Sequence, residues 1–92
     1  MKVTVGIIGS GAVAKAHTYA YDQINKYYDD VEIEKTVICS RGMTAERAEA
    51  LGWSETEKYW QNVVARPDID LVDICVYDNL HYPIAKAALG NG

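Results

Sequence analysis

Two glycines and an alanine, Gly9, Gly11 and Ala14, sit where the apolar run Val3-Thr4-Val5-Gly6-Ile7-Ile8 stops. The spacing is Gly-x-Gly-x-x-Ala, and Gly9, Ser10, Gly11, Ala12, Val13 and Ala14 read as a tight turn from a strand into a helix. The first glycine permits the reversal, and the second lets backbone approach a ligand with no Cβ in the way. The third small residue lets the helix pack closely on the strand. Unpaired N–H groups of the first helical turn then point at an anion, and the helix dipole adds attraction. The chemistry that fits is the diphosphate of a dinucleotide.

Such a site needs a second set of side chains at the end of the second strand. NAD-binding domains place an acidic residue there, against the adenosine ribose. Here Ser40 and Arg41 occupy the position, and Glu32 and Glu34 lie too early on the strand. A carboxylate would repel a 2′-phosphate, whereas serine donates to it and arginine binds it through its guanidinium fork. The pair predicts NADP(H) as the preferred cofactor, with NAD(H) the other that the site admits. The competing reading leaves Arg41 as a solvated loop residue.

The remaining chemistry-bearing residues read more plainly. His17 falls on the apolar face of the first helix and is expected to pack against the sheet. His81 opens the last helix beside the cofactor loop, where it either touches cofactor or substrate or serves to cap or pack. Asp68, Asp70 and Asp73 flank a strand, whereas a hard cation wants convergent oxygens. They are expected to form a solvated turn, so no metal site is expected. Cys39 and Cys75 make neither a metal pattern nor a disulfide framework. On strands that flank the first one they would lie about 9–10 Å apart, beyond the ~7 Å reach of a disulfide. Both read as reduced, semi-buried core thiols.

The elements that must position these groups follow from periodicity. Val13, His17, Ala20, Tyr21, Ile24 and Tyr28 recur at helical spacing over residues 11–28. Residues 31–39 alternate and then turn fully apolar, as in a strand covered on both faces. Thr44 caps a short helix over 45–51 that Gly52 ends. Ser54 with Glu57 has capping-box spacing and predicts a helix over 55–65, ended by Arg66-Pro67. A third strand would have to fall at 53–56, where the signal is poor, with Trp53 and Trp60 packing around it. Residues 71–76 form a further strand, and 80–89 a helix with Pro83 in its first turn and Gly90 as its stop. This alternation predicts an α/β fold, an incomplete Rossmann-type parallel sheet of about four strands in order 3-2-1-4 with flanking helices.

At 92 residues the chain holds at most one small domain. A net charge of −4 gives no footprint for nucleic acid. No apolar run approaches the roughly 20 residues of a membrane helix, and Met1-Lys2-Val3 leads straight into a strand. No membrane partner is expected, and a cytoplasmic location is.

Taken together, four motifs stand in register. They are the Gly9-x-Gly11-x-x-Ala14-Lys15-Ala16-His17 turn, Cys39-Ser40-Arg41 with Ala45-Glu46-Arg47-Ala48, Pro67-Asp68-Ile69-Asp70-Leu71-Val72-Asp73-Ile74, and Leu80-His81-Tyr82-Pro83-Ile84-Ala85-Lys86-Ala87-Ala88-Leu89. In this order the chain resembles the N-terminal domain of the glucose–fructose oxidoreductase / inositol dehydrogenase family, over essentially all its residues. The resemblance implies an NAD(P)-dependent oxidoreductase of sugars, cyclitols or related polyols, with a C-terminal α/β domain carrying much of the substrate site. It implies that residues 9–14 cradle the diphosphate and that Ser40 and Arg41 meet the adenosine ribose. One departure concerns the loop near the nicotinamide half. Where the family commonly has Thr-Pro-Asn this chain has Val76, Tyr77 and Asp78, which changes loop stiffness and bulk while Asp78 keeps a hydrogen-bonding group.

The family continues into a further strand and a Glu-Lys-Pro motif whose lysine assists proton and hydride transfer, and many members use a downstream histidine. Neither falls within residues 1–92. The chain therefore reads as the N-terminal part of a dinucleotide-binding domain without its substrate domain, carrying no catalytic residue and inactive alone. The second reading is a non-catalytic nucleotide-binding or redox-sensing module. The strand at 71–76 is expected to be an apolar edge, so self-association through that edge or through bared helix faces is predicted.

Overall fold

The computed structural model describes residues 1–76 and 78–90, the stretch 78–82 by its backbone alone. Strands and helices alternate as β1 (Lys2–Ile8), α1 (Ala12–Tyr27), β2 (Glu32–Cys39), α2 (Ala45–Ala50), β3 (Glu55–Glu57), α3 (Trp60–Val64), β4 (Leu71–Ile74) and α4 (Asp78–Gly90). All strands pair in parallel in one sheet of order β3-β2-β1-β4. This is the predicted α/β architecture. No helix among the described residues is long and apolar enough to cross a membrane.

A parallel sheet is buried on both faces, and the core accordingly divides into two layers. On one face Val5, Ile7 and Ile38 pack with Ala14, Ala48 and Trp53. On the other, Ile8, Val37 and Cys39 pack with Val63, Val64 and Ile84. The change of pattern along β2 has a structural cause. Val5 pairs with Lys35 but Gly6 pairs with Val37, so a bulge takes up Thr36. An extra residue reverses the inward parity of everything after it, which moves Ile38 onto the face that Ile33 already serves.

α1 differs in rotation from the predicted stripe. Its buried residues are Ala14 and Thr18, while Val13 and Tyr28 are exposed. Small side chains face the sheet because the helix lies close on it. Thr18 donates to the Ala14 carbonyl (2.8 Å) and accepts from Trp53 Nε1 (3.2 Å), which pairs a buried indole that has few other choices. Tyr21 meets the same indole edge-on, with ring centroids 6.5 Å apart.

The predicted helix over 55–65 is instead strand β3 followed by the short α3. Residues 55–57 pair with 37–39 of β2, and sheet pairing outweighs the capping-box signal. Glu57 instead bonds the amides just ahead of α3, whose N-cap Tyr59 makes no side-chain cap bond. The Glu57 carboxylate accepts from the amides of Lys58 (2.8 Å) and Tyr59 (3.0 Å) and from Asn62 Nδ2 (3.2 Å). Those bonds hold it below the ordinary carboxylate value. β4 stops at Ile74, two residues short of the prediction, and α4 begins at Asp78, so Pro83 lies inside the helix rather than in its first turn. Thr44 caps α2 as predicted, accepting from the Arg47 amide at 3.2 Å.

Replacing Thr18 by valine keeps the shape and strands the buried Trp53 N–H. We expect a loss of about 1–3 kcal/mol in urea denaturation; an unchanged midpoint would contradict the role given to this contact.

Candidate functional site

The carboxyl ends of β1, β2 and β4 converge at Gly9. Its N–H donates to the Cys39 carbonyl at 2.8 Å, and next to it Ile8 accepts from the Cys75 amide at 2.8 Å. Gly9 has φ +120, a conformation that L side chains rarely adopt. A Cβ here would fall 2.1 Å from the Cys75 carbonyl oxygen. No other residue fits.

Gly11 is a different case. Its backbone is extended (φ −78, ψ −165) and a Cβ would meet no atom of the described residues within 4 Å. The fold itself does not call for glycine there; open space beside the turn is what its missing side chain preserves. Gly9, Ser10, Gly11, Ala12 and Val13 line one wall of a cleft of about 610 Å³, and Ile74, Cys75 and Val76 line the other. That volume lies in the range of small-molecule and cofactor sites. The cleft opens between β1 and β4, where strand order reverses direction from the chain, which is the switch point of a doubly wound sheet.

The start of α1 faces this cleft uncapped. Lys15 makes the first backbone bond to Gly11 (3.1 Å), no side chain of the described residues caps the amides before it, and no acidic residue stands in the first turn. The amides of 12–14 are thus left for an anion. Ala14 is 1 % exposed within the core. It serves the site by letting α1 approach the sheet and not by reaching the cleft.

Ser40 and Arg41 sit as predicted at the end of β2. Ser10 and Ser40 hydroxyls share a hydrogen bond of 2.9 Å, which links the glycine turn to the predicted ribose position. Arg41 is exposed, and its guanidinium pairs with no described residue. Glu57, which pairs with Cys39 across the sheet, has its carboxylate engaged at the head of α3. Tyr77 lies outside the described residues, and so do the side chains of Asp78 and His81, whose backbone begins α4.

Behind the cleft lies a cluster that sequence reasoning placed wrongly. Asp73 is not in a solvated turn: its side chain is 12 % exposed, inside β4. It accepts from Tyr21 Oη at 2.6 Å and meets His17 Nδ1 at 2.7 Å, while Cys75 Sγ lies 3.4 Å from both His17 Nδ1 and the other Asp73 oxygen. His17 is half-exposed rather than packed into the sheet. The signal was available as two spacings: 17 and 21 share a helix face, 73 and 75 a strand face.

Cys39 and Cys75 are free and serve opposite faces of the sheet. Burial, with Glu57 nearby, pushes the Cys39 thiol up to about 11. Burial, with Asp73 beside it, pushes Cys75 up to about 12. Both are held protonated, opposite to what a redox-sensing thiol needs.

Comparison with known proteins agrees with this geometry. Residues 3–92 match a family model described as an oxidoreductase family with an NAD-binding Rossmann fold, the Gfo/Idh/MocA family. Levoglucosan dehydrogenase of Pseudarthrobacter phenanthrenivorans is 31% identical over 98% of this chain and 24% of its own length. A levoglucosan dehydrogenase solved with NADH superposes with a TM-score of 0.91 at 31% identity, over 100% of this chain and 26% of that one. An NAD-binding oxidoreductase from Klebsiella pneumoniae gives 0.92 at 30% identity, over 100% and 26%. The chain spans about a quarter of the length of these relatives.

The two glycines should separate cleanly by mutation. Gly9→Ala should cost about 2–5 kcal/mol of stability through strain and overlap. Gly11→Ala should cost under about 1 kcal/mol, the difference between the two residues at a helix N-cap. Equal losses in thermal or urea unfolding would contradict the geometry described.

Proposed function

The chain belongs to the oxidoreductase family with an NAD-binding Rossmann fold, and on that premise we propose that residues 1–92 are the N-terminal part of its dinucleotide-binding domain. The observation that carries the reading is the cleft at the switch point, with Gly9 locked against Cys75 and Gly11 leaving open space beside uncapped amides. In this reading the amides of 12–14 hold the diphosphate, and Ser10 and Ser40 hold each other in place beside it. Val13 and Val76 give the cleft its apolar walls.

The parent protein in this proposal transfers a hydride between the cofactor and a sugar, cyclitol or related polyol or carbonyl compound in the cytoplasm. Its substrate domain and catalytic groups belong to the rest of a longer protein. Complexes of levoglucosan dehydrogenase with NADH and levoglucosan or L-sorbose support the substrate class and a nicotinamide cofactor. For the cofactor's 2′ position, the unpaired Arg41 guanidinium beside Ser40, without a ribose-binding carboxylate, favours NADP(H). A bound nicotinamide would supply the hydride chemistry, and residues 9–14 with Ser40 and Arg41 would hold the cofactor.

Titration by calorimetry tests both levels. The chain should bind NADPH more tightly than NADH, Arg41→Ala should remove most of that preference, and Gly11→Ala should weaken both. Failure to bind either dinucleotide overturns the site. Tighter NADH binding that Arg41→Ala leaves unchanged overturns the NADP(H) preference alone.

We also propose that the 92-residue polypeptide by itself self-associates through β4. Among the described residues no strand pairs its outer edge, where Leu71 is 44% exposed. Sedimentation should show a dimer at high concentration, and a monomer throughout would contradict this.

A further inference from the structure

We propose that His17, Asp73 and Cys75 form a binding site for a divalent transition cation, Zn²⁺ by ligand chemistry, on the α1 face of β4. One donor comes from α1 and two from β4 or the residue following it, and their ligand atoms all lie within 4.8 Å of one another. Nδ1 of His17 is 2.7 Å from Asp73 Oδ2 and 3.4 Å from Cys75 Sγ, which in turn is 3.4 Å from Asp73 Oδ1. A tetrahedral zinc, with bonds of about 2.0–2.1 Å to nitrogen and oxygen and about 2.3 Å to sulfur, sets its ligands roughly 3.3–3.6 Å apart. The two sulfur edges already have that length. They take Asp73 Oδ1 as the carboxylate ligand atom, whereas the short imidazole contact is to the other oxygen, Oδ2, so the half-exposed His17 side chain must give up that hydrogen bond as Nδ1 turns to the cation.

The donor set suits the ion. Thiolate, imidazole and carboxylate select a borderline cation over calcium or magnesium. Two anionic ligands balance a dication, so a part-buried site ends neutral. Tyr21 donates to Asp73 Oδ2 at 2.6 Å and holds the carboxylate in place. An open hollow of about 390 Å³, lined by His17, Tyr21, Leu71, Val72, Asp73 and Ile74, gives the ion a way in and room for water as fourth ligand.

In the structure the same groups satisfy one another by hydrogen bonds. On binding, the Cys75 thiol proton leaves to solvent. The imidazole proton moves from Nδ1 to Nε2, so that the Nδ1 lone pair faces the cation. The contact charge of the ion reverses the upward push that burial gives the thiol. None of this requires the dinucleotide.

Co²⁺ is the probe, because its thiolate charge-transfer absorption reports the sulfur ligand directly. The 92-residue chain should take up one equivalent with a near-ultraviolet thiolate-to-cobalt band and tetrahedral visible bands, and Zn²⁺ should abolish them one for one. Cys75→Ser should remove the charge-transfer band. His17→Gln should weaken Zn²⁺ binding at least tenfold in competition with a chelating dye. Tyr21→Phe should weaken it about tenfold, and Cys39→Ser should change nothing. The proposal is overturned by no band in the parent chain, by a band that follows Cys39, or by Zn²⁺ affinity that His17→Gln leaves intact. Because the readout is the metal alone, its failure leaves the dinucleotide reading standing.

Discussion

Gly9 is where the ends of three parallel strands meet, and its backbone geometry sets that of its neighbours. It stands at the end of β1, its amide is bonded to the last carbonyl of β2, and its α-carbon is pressed against the carbonyl of Cys75 after β4. A side chain of any kind would push β4 from β1 or turn the chain out of φ +120. With neither allowed, the chain leaves the sheet at one angle and enters α1 with its first amides toward the cleft. The cleft is therefore a by-product of close packing: it lies between the Gly9 turn and the end of β4, which the residue without a Cβ holds together.

The same constraint explains the layer behind the cleft. α1 can lie close only if its contact residues are small, and Ala14 and Thr18 are. With the helix that near, its next turn brings His17 and Tyr21 onto Asp73 of β4. The carboxylate so placed joins the helix whose first turn stands at the cleft to the strand that forms the opposite wall. Thr18 and Trp53 fasten the helix on its other flank. The turn, the helix and the wall are thus one mechanical unit.

Much of this was legible in the residues. The Gly-x-Gly-x-x-Ala turn, the sheet order and the position of Ser40-Arg41 follow from local spacing, and the structure reproduces them. What was not legible depended on distance in the chain. β3 is three residues whose strand identity comes from pairing with 37–39, and no local preference of Glu55-Thr56-Glu57 announces it. The α1 stripe was read one residue away from the true contact face because large tyrosines outweigh alanine and threonine in any hydrophobic count. Asp73 reads as polar and exposed until His17 and Tyr21 are placed opposite it. Ile74 and Cys75 read as core, since only their place opposite the Gly9 turn makes them cleft wall.

If the Gly9 turn and the end of β4 together form a dinucleotide site, amide chemical-shift mapping of the isotopically labelled chain during titration with NADPH or NADH will locate it. The largest shifts should fall on residues 9–13, with a second group at 40–41 and a third at 75–76, and Gly11→Ala should diminish all three together. Saturable binding with shifts confined to α2, α3 or the outer edge of β4, and a silent glycine turn, would contradict it.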